Sequence, residues 1–281
     1  MHKKICFKII ISVFFVNLNT SLFATEFNLN KNFFNNLNLS IIEFKSTSPL
    51  YKNIRSYKGY NLKDILNKVK YNKSKYDVLT FIAKDDFKIS IPILFIDKYI
   101  SYIAIKDLSL KDSRDWEIVR DGGRILDAGP YYLMWKSTDP IPNEYWAFGV
   151  VKIQFSNMKE AYGNAIPPSQ YDENIIMGFQ IYQKSCSACH SINLNGGDLG
   201  VEMNVPKNFT EYYSNEYIIN YAQSPTSYRA NAKMPSINLI QKEIELFLSY
   251  LKVMKNNKIC NKNDECQKML DQKLLINKHK K

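Results

Sequence analysis

In the run Lys184-Ser185-Cys186-Ser187-Ala188-Cys189-His190, two thiols sit three positions apart and an imidazole follows directly. On one helical turn both sulfurs face the same side, so each can add to a vinyl group of one porphyrin while the imidazole falls over the iron. Other chemistries also use paired cysteines. A thioredoxin-like pair is set in a βαβ unit, and a zinc site draws on a second close pair of ligands. Cys260 and Cys266 are spaced too widely to be that second half-site. The pair followed by histidine is the attachment signature of a c-type haem, so the run predicts one covalently bound haem.

Iron needs two axial ligands to be saturated, and the residue inventory narrows the choice. Of three histidines, His2 lies in a segment that reads as a targeting sequence and His279 in a charged tail, leaving His190. Of eight methionines, those before the haem run, within its flanking helices and in the tail are set aside, leaving Met203 and Met234. Methionine is often a core filler, and either can be structural. Met234 is preferred as the second ligand because Pro235 stiffens the loop that presents it, whereas Met203 follows His190 with little chain to wrap a porphyrin.

Two helices must position this run. Residues 173–184 carry Ile175, Ile176, Phe179 and Tyr182 at helical spacing, with Gly178 eight residues and Tyr182 four residues before Cys186. Residues 242–254 place Ile244, Phe247, Leu248 and Leu251 on one stripe, with Glu243, Glu245 and Lys252 off it. In this order the motifs resemble class I cytochrome c over about residues 173–256. The resemblance implies an all-α monohaem unit in which Gly178 and Tyr182 cross Phe247 and Tyr250. It also implies that Met234, ahead of Pro235, is the sixth ligand, that Pro206 and Phe209 precede a middle helix, and that the unit carries electrons.

The chain opens with Lys3 and Lys4, an apolar run from Ile9 to Val16 and a polar stretch ending in Ala24. That pattern is a signal peptide over residues 1–24, since the apolar run is too short to span a bilayer. Cys6 would be lost with it. Export to a bacterial periplasm suits haem attachment outside the cytoplasm, and the chain meets the membrane only if this segment is retained. Losing Lys3, Lys4 and Lys8 takes the formal charge from +11 to +8. A basic carrier is steered toward a redox partner with an acidic docking face. Nucleic acid is excluded as a target, because no reading motif accompanies the charge.

Residues 25–165 mix both periods and read as α+β with a mixed sheet. Strands are expected at 39–44, 78–83, 102–106, 131–135 and 146–155, and a helix from Asn61 to Tyr71. Asp85, Asp86, Asp121 and Asp127 sit in turn-like contexts and receive no catalytic role. Trp116, Tyr131, Tyr132, Trp135, Tyr145, Trp146 and Phe148 are either core or the lining of a groove. The stretch Tyr57 to Leu66, with a glycine before a helix opening Leu62-Lys63-Asp64-Ile65-Leu66, is similar to an element of the molybdopterin-binding domain of sulfite oxidase-like enzymes. Gly129 to Met134 and the strand ending at Phe155 are similar to that domain's closing hairpin. No cysteine lies between Cys6 and Cys186, so the molybdenum thiolate of that family is absent. The arginines there are Arg55, Arg114, Arg120 and Arg124, few for a cofactor phosphate. A relative reduced to a docking module is what the resemblance then implies.

Pro167 and Pro168 mark residues 166–172 as a stiff linker, and residues 257–281 form a basic tail in which Cys260 and Cys266 pair as a disulfide. The expected architecture is thus a sheet domain followed by an all-α cytochrome unit. Two function classes fit it. One is a periplasmic one-electron carrier between a donor dehydrogenase or respiratory complex and an acceptor. The other is a haem-containing enzyme, sulfite dehydrogenase-like, oxidising a small substrate in residues 25–165. The carrier is preferred, because a saturated iron does no substrate chemistry and the first domain lacks an acid-base pair.

Overall fold

Short alternating runs build the first half of the chain from strands, and longer amphipathic stripes build the second half from helices. A computed structural model describes residues 25–121, 124–168 and 172–278. The expected signal peptide with His2 and Cys6, residues 169–171 of the expected linker, and His279 lie outside them. The first half contains β1 (Glu26–Asn28), α1 (Lys31–Leu37), β2 (Ile42–Thr47), β3 (Ile54–Asn61), α2 (Leu62–Lys68), β4 (Val78–Ala83) and β5 (Lys88–Pro92). It continues with α3 (Ile93–Lys98), β6 (Ile100–Asp107), β7 (Ile118–Asp121), β8 (Arg124–Asp127), β9 (Tyr132–Lys136) and β10 (Val150–Ser156). The second half holds α4 (Met158–Tyr162), α5 (Glu173–Ser185), β11 (Ser191–Ile192), β12 (Asn195–Gly196), α6 (Asn215–Gln223), α7 (Pro225–Tyr228), α8 (Gln241–Lys255) and α9 (Asn263–Lys278).

The architecture is α+β, as expected. Two four-stranded sheets, ordered β1-β10-β4-β5 and β2-β3-β6-β9, share one core running from Phe27 to Phe155. Every pairing in them is antiparallel, which corrects the expectation of a mixed sheet. The connections decide this: β4 and β5 are joined by a turn at residues 84–87, too short for the crossover that a parallel pair requires. In that turn Asp86 has φ 65° and Asp85 accepts a hydrogen bond from the Phe87 N–H, which is why aspartates stand there. Asn61 caps α2 by accepting from the N–H groups of Lys63 and Asp64.

The expected strand at 39–44 lies at 42–47 instead. Its outer end is polar in sequence, yet Ser46 is buried and its hydroxyl donates to the Trp135 carbonyl at 2.8 Å. β10 begins at Val150 and not at Trp146, because a short 3-10 turn at Asn143–Tyr145 and Gly149 at φ 68° intervene. Gly59 lies at a shift in the β3–β6 register, and a Cβ there would strike the Ile103 carbonyl and the Ala104 Cα. Most of the aromatic cluster is core: Trp116, Tyr132, Trp135, Tyr145 and Trp146 are buried.

In the second half, α5 and α8 cross where Gly178 meets the Leu246 carbonyl and the Tyr250 side chain, leaving no room for a Cβ. Tyr182, Phe247 and Tyr250 are buried around that crossing. Val78, Tyr162 and Ala165 join the same core, so residues before the proline pair pack into the helical unit. Cys260 and Cys266 are joined by a disulfide, and from Asn263 the chain forms α9, which includes Cys266 and which the polar composition of the tail concealed.

Candidate functional site

Helix α5 is started by Asp172, whose side chain accepts from the Ile175 N–H, and it delivers Cys186 at its end. The chain then turns tightly, with the N–H groups of Cys189 and His190 donating to the Cys186 carbonyl at 3.1 and 2.8 Å. Cys186 is buried, Cys189 half-buried and His190 9% exposed. Burial pushes the Cys186 thiol well above its ordinary value, with Glu144 and Cys189 adding to the shift. Burial also lowers the His190 pKa, which keeps the imidazole neutral.

The orientation of that imidazole follows from its partner. His190 Nδ1 lies 2.7 Å from the Val201 carbonyl, and a carbonyl only accepts, so Nδ1 carries the proton. Nε2 is left with its lone pair, the form in which histidine binds a metal. Gly200 lies against the ring: a Cβ there would fall within 3.0 Å of Cε1, Nδ1 and Nε2. The Gly200 N–H donates to the Cys189 carbonyl at 2.7 Å, and the Tyr182 hydroxyl lies 3.0 Å from the carbonyls of His190 and Asn195.

Sequence reasoning missed the group that holds this loop. Asn193, Asn204 and Asn208 are buried. The Asn204 amide donates to Asn193 and to the Met254 carbonyl at 2.7 and 2.8 Å, and the Asn208 amide donates to Asn204 and the Leu251 carbonyl at 2.8 and 2.9 Å. The Glu202 carboxylate accepts from the N–H groups of Asn193, Leu194 and Asn204. These bonds tie the haem-run loop to the end of α8. In sequence these residues carry no sign of burial, and the resemblance marked only Pro206 and Phe209 nearby.

Cys186, Cys189, His190, Met203 and Met234 line one cavity of about 2400 Å³. Met203 is 5% exposed and sits in the core; its N–H donates to the Ser191 carbonyl and its carbonyl accepts from Phe209. Met234 is half-buried, on the irregular segment before α8. Tyr213, Tyr217 and Tyr221 stack in succession along another wall, with ring centroids 4.6 and 5.9 Å apart. The first domain supplies further lining through Phe87, Glu144, Trp146 and Phe148. Trp146 Nε1 and Lys273 Nζ are buried donors without a partner among the described residues, and both residues line this space. Orphan donors, a buried and a half-buried thiol and an imidazole with a directed lone pair are the donor set that a haem with its carboxylates would satisfy, so the residues present fit that group.

Elsewhere the candidate polar residues are engaged locally. Asp127 pairs with Lys84 at 2.6 Å and accepts from the Gly129 N–H. Arg55 pairs with Asp107 at 2.9 Å, and Arg114 with Asp112 at 2.6 Å. Asp121 falls in β7.

Residues 175–255 are matched by the family model described as Cytochrome c. The match supports a cytochrome c C-terminal part, implies covalently bound haem c, and supports a haem-based electron carrier with redox protein partners. No curated protein matches the chain. Among the described residues no helix is long and apolar enough to cross a membrane.

Proposed function

We propose that this chain is a c-type cytochrome of the bacterial periplasm, passing single electrons between a donor dehydrogenase or respiratory complex and an acceptor. Cys186 and Cys189 hold one haem c by thioether bonds, and His190 and Met234 are its axial ligands. The observation that carries this reading is the convergence of all four side chains on one cavity, within a segment matched as cytochrome c. A haem bound there supplies one-electron iron chemistry.

The chain's own residues then do four things. His190 presents Nε2, fixed by the bond from Nδ1 to Val201. Met234 supplies a soft sulfur, a ligand that raises the potential. The core between α5 and α8, which includes Cys186, keeps water from that attachment point. Together His190 and Met234 would saturate the iron of such a haem, which favours the carrier over the enzyme.

Residues 25–165 act as a docking module. Support comes from Phe87, Glu144, Trp146 and Phe148, which bring this domain to the wall of the haem cavity. A sulfite oxidase-like origin accords with that role, since the cysteine such enzymes use is missing. The basic chain, +8 after signal removal, suits a partner with an acidic face. Stopped-flow reduction by the physiological donor tests the proposal, comparing the full chain with a fragment starting at Asn157, which keeps Tyr162 and Ala165 in the helical core. The fragment is expected to keep its haem spectrum, yet to be reduced at least about tenfold more slowly and with a weaker salt dependence, because surface charges are screened beyond about 8 Å. Equal rates across the salt series would sink the docking role.

A further inference from the structure

Helix α9 lies beyond the segment matched as cytochrome c, and its first turn is fastened to the haem-run loop. Cys260 and Cys266, joined to each other, are buried with Val205. The Lys258 ammonium donates to the Pro206 carbonyl at 3.0 Å and pairs with Glu211 at 2.7 Å. From that anchor Asn263, Gln267, Leu270 and Leu274 recur at intervals of four, three and four residues, and all line the cavity. This is the stripe by which a helix covers a surface. Lys273 shares that face.

The Lys273 ammonium is sealed from solvent and makes no hydrogen bond among the described residues. Asp198 and Glu202 are the acidic groups that act on it, yet neither forms an ion pair with it among the described residues. Glu202 is already committed to four backbone N–H groups, those of Asn193, Leu194, Asn204 and Val205. Burial lowers the Lys273 pKa, as expected of an ammonium lacking a counter-charge. Such a charge is costly to bury unless an anion meets it. The other orphan, Trp146 Nε1, is a neutral donor that water can satisfy, so the demand for an anion falls on Lys273 alone.

We propose that Lys273 is the counter-charge of a haem propionate, so that the disulfide-anchored tail helix closes the haem cavity. This rests on the haem assignment above, which brings a carboxylate-bearing group into the space Lys273 faces. The tail is then part of the cofactor site, contributing a residue that lies outside the matched domain.

The test uses the full-length holoprotein made with haem labelled with carbon-13 at its two carboxylates, read by redox-difference infrared spectroscopy. In K273M the labelled carboxylate bands should shift, while in K273R they should stay near their wild-type position. Losing a buried cation favours Fe(III), and about a tenfold change in the Fe(III)/Fe(II) equilibrium is a fall of 59 mV for one electron. If K273M does not accumulate, K273Q removes the same charge and is read the same way. Labelled bands identical in wild type and variant would overturn the proposal, whatever the potential does. A shift confined to unlabelled carboxylates would also overturn it, assigning Lys273 to Asp198 or Glu202. A wild-type protein without covalent haem would instead remove the cofactor assignment itself.

Discussion

Alanine at Gly200 tests how the proximal imidazole is held. A Cβ at that position would come within 3.0 Å of three atoms of the His190 ring, whereas non-bonded carbons rest at about 3.5–4.0 Å. Ring or loop must therefore move by about one to one and a half ångströms. The loop has little freedom to retreat, because Gly200 donates to the Cys189 carbonyl at 2.7 Å and the next residue, Val201, accepts from His190 at 2.7 Å. Forced overpacking costs about 1–3 kcal/mol, and losing one of these hydrogen bonds adds about 1 kcal/mol. The G200A holoprotein should thus be less stable by about 2–4 kcal/mol. Guanidinium unfolding followed by haem absorbance measures this, and resonance Raman of the ferrous protein in an M234A background, where the iron would be five-coordinate, reports the iron–histidine vibration. A variant with the wild-type midpoint and an unshifted vibration would refute the steric argument.

Three further outcomes are expected. Haem should survive acid-acetone extraction and denaturing electrophoresis in the wild type, with C186A or C189A attached by a single thioether and the double variant losing haem; a haem that washes out of the wild type refutes covalent attachment. M234A should keep haem through His190 and the two thioethers but lose the weak sulfur-to-iron absorption at the red end and bind exogenous ligands; if M203A does so instead, the sixth ligand is Met203. Burial pushes the Glu144 carboxyl up to about 7, against an ordinary value of 4.5, so the folded chain holds a proton that the unfolded chain releases. The stability this gives is fully present below pH 4.5 and is lost as pH rises through about 7. E144Q should therefore be the more stable protein at pH 8, by about 1–3 kcal/mol after allowing for partial exposure. Parallel pH–stability curves for variant and wild type would contradict this.

What the sequence disclosed were positions where one residue type is demanded locally. Asn61 is legible because a helix start needs an acceptor, whereas Gly178 is marked only by the resemblance to class I cytochrome c, since the backbone it meets belongs to a distant helix. The strand Val78–Ala83 is legible because its apolar run is bounded by turn residues. What stayed hidden were positions whose meaning depends on distant partners. Asn193, Asn204 and Asn208 carry no local sign of burial, since asparagine is equally at home in solvent. Gly200 reads as one more loop glycine until the His190 ring is seen against it. The strand β5 and helix α3 were missed because Pro92, at their junction, looks like a simple break. Helix α9 was missed because its stripe holds only two leucines among charged residues.

The way the two halves are joined bears directly on where electrons enter. Pro167 and Pro168 suggested that a stiff linker sets the orientation of the cytochrome unit, but buried contacts do more than a linker can. The Tyr162 hydroxyl donates to the Ser90 carbonyl at 2.8 Å, and the Tyr250 hydroxyl donates to the Ala165 carbonyl at 2.6 Å. Val78, Tyr162 and Ala165 lie in the same core as Phe179, Tyr182 and Tyr250. Large side chains buried at such a junction contribute on the order of 1.5–3 kcal/mol each, far more than the conformational entropy a proline pair removes. The helix that carries Cys186 therefore rests on the sheet domain, and Glu144 of that domain acts electrostatically on the Cys186 thiol. Under the docking role proposed above, a partner reaching the haem from that side would meet the sheet domain as part of the surface, so the domain would shape the docking face and not merely its distance from a tether.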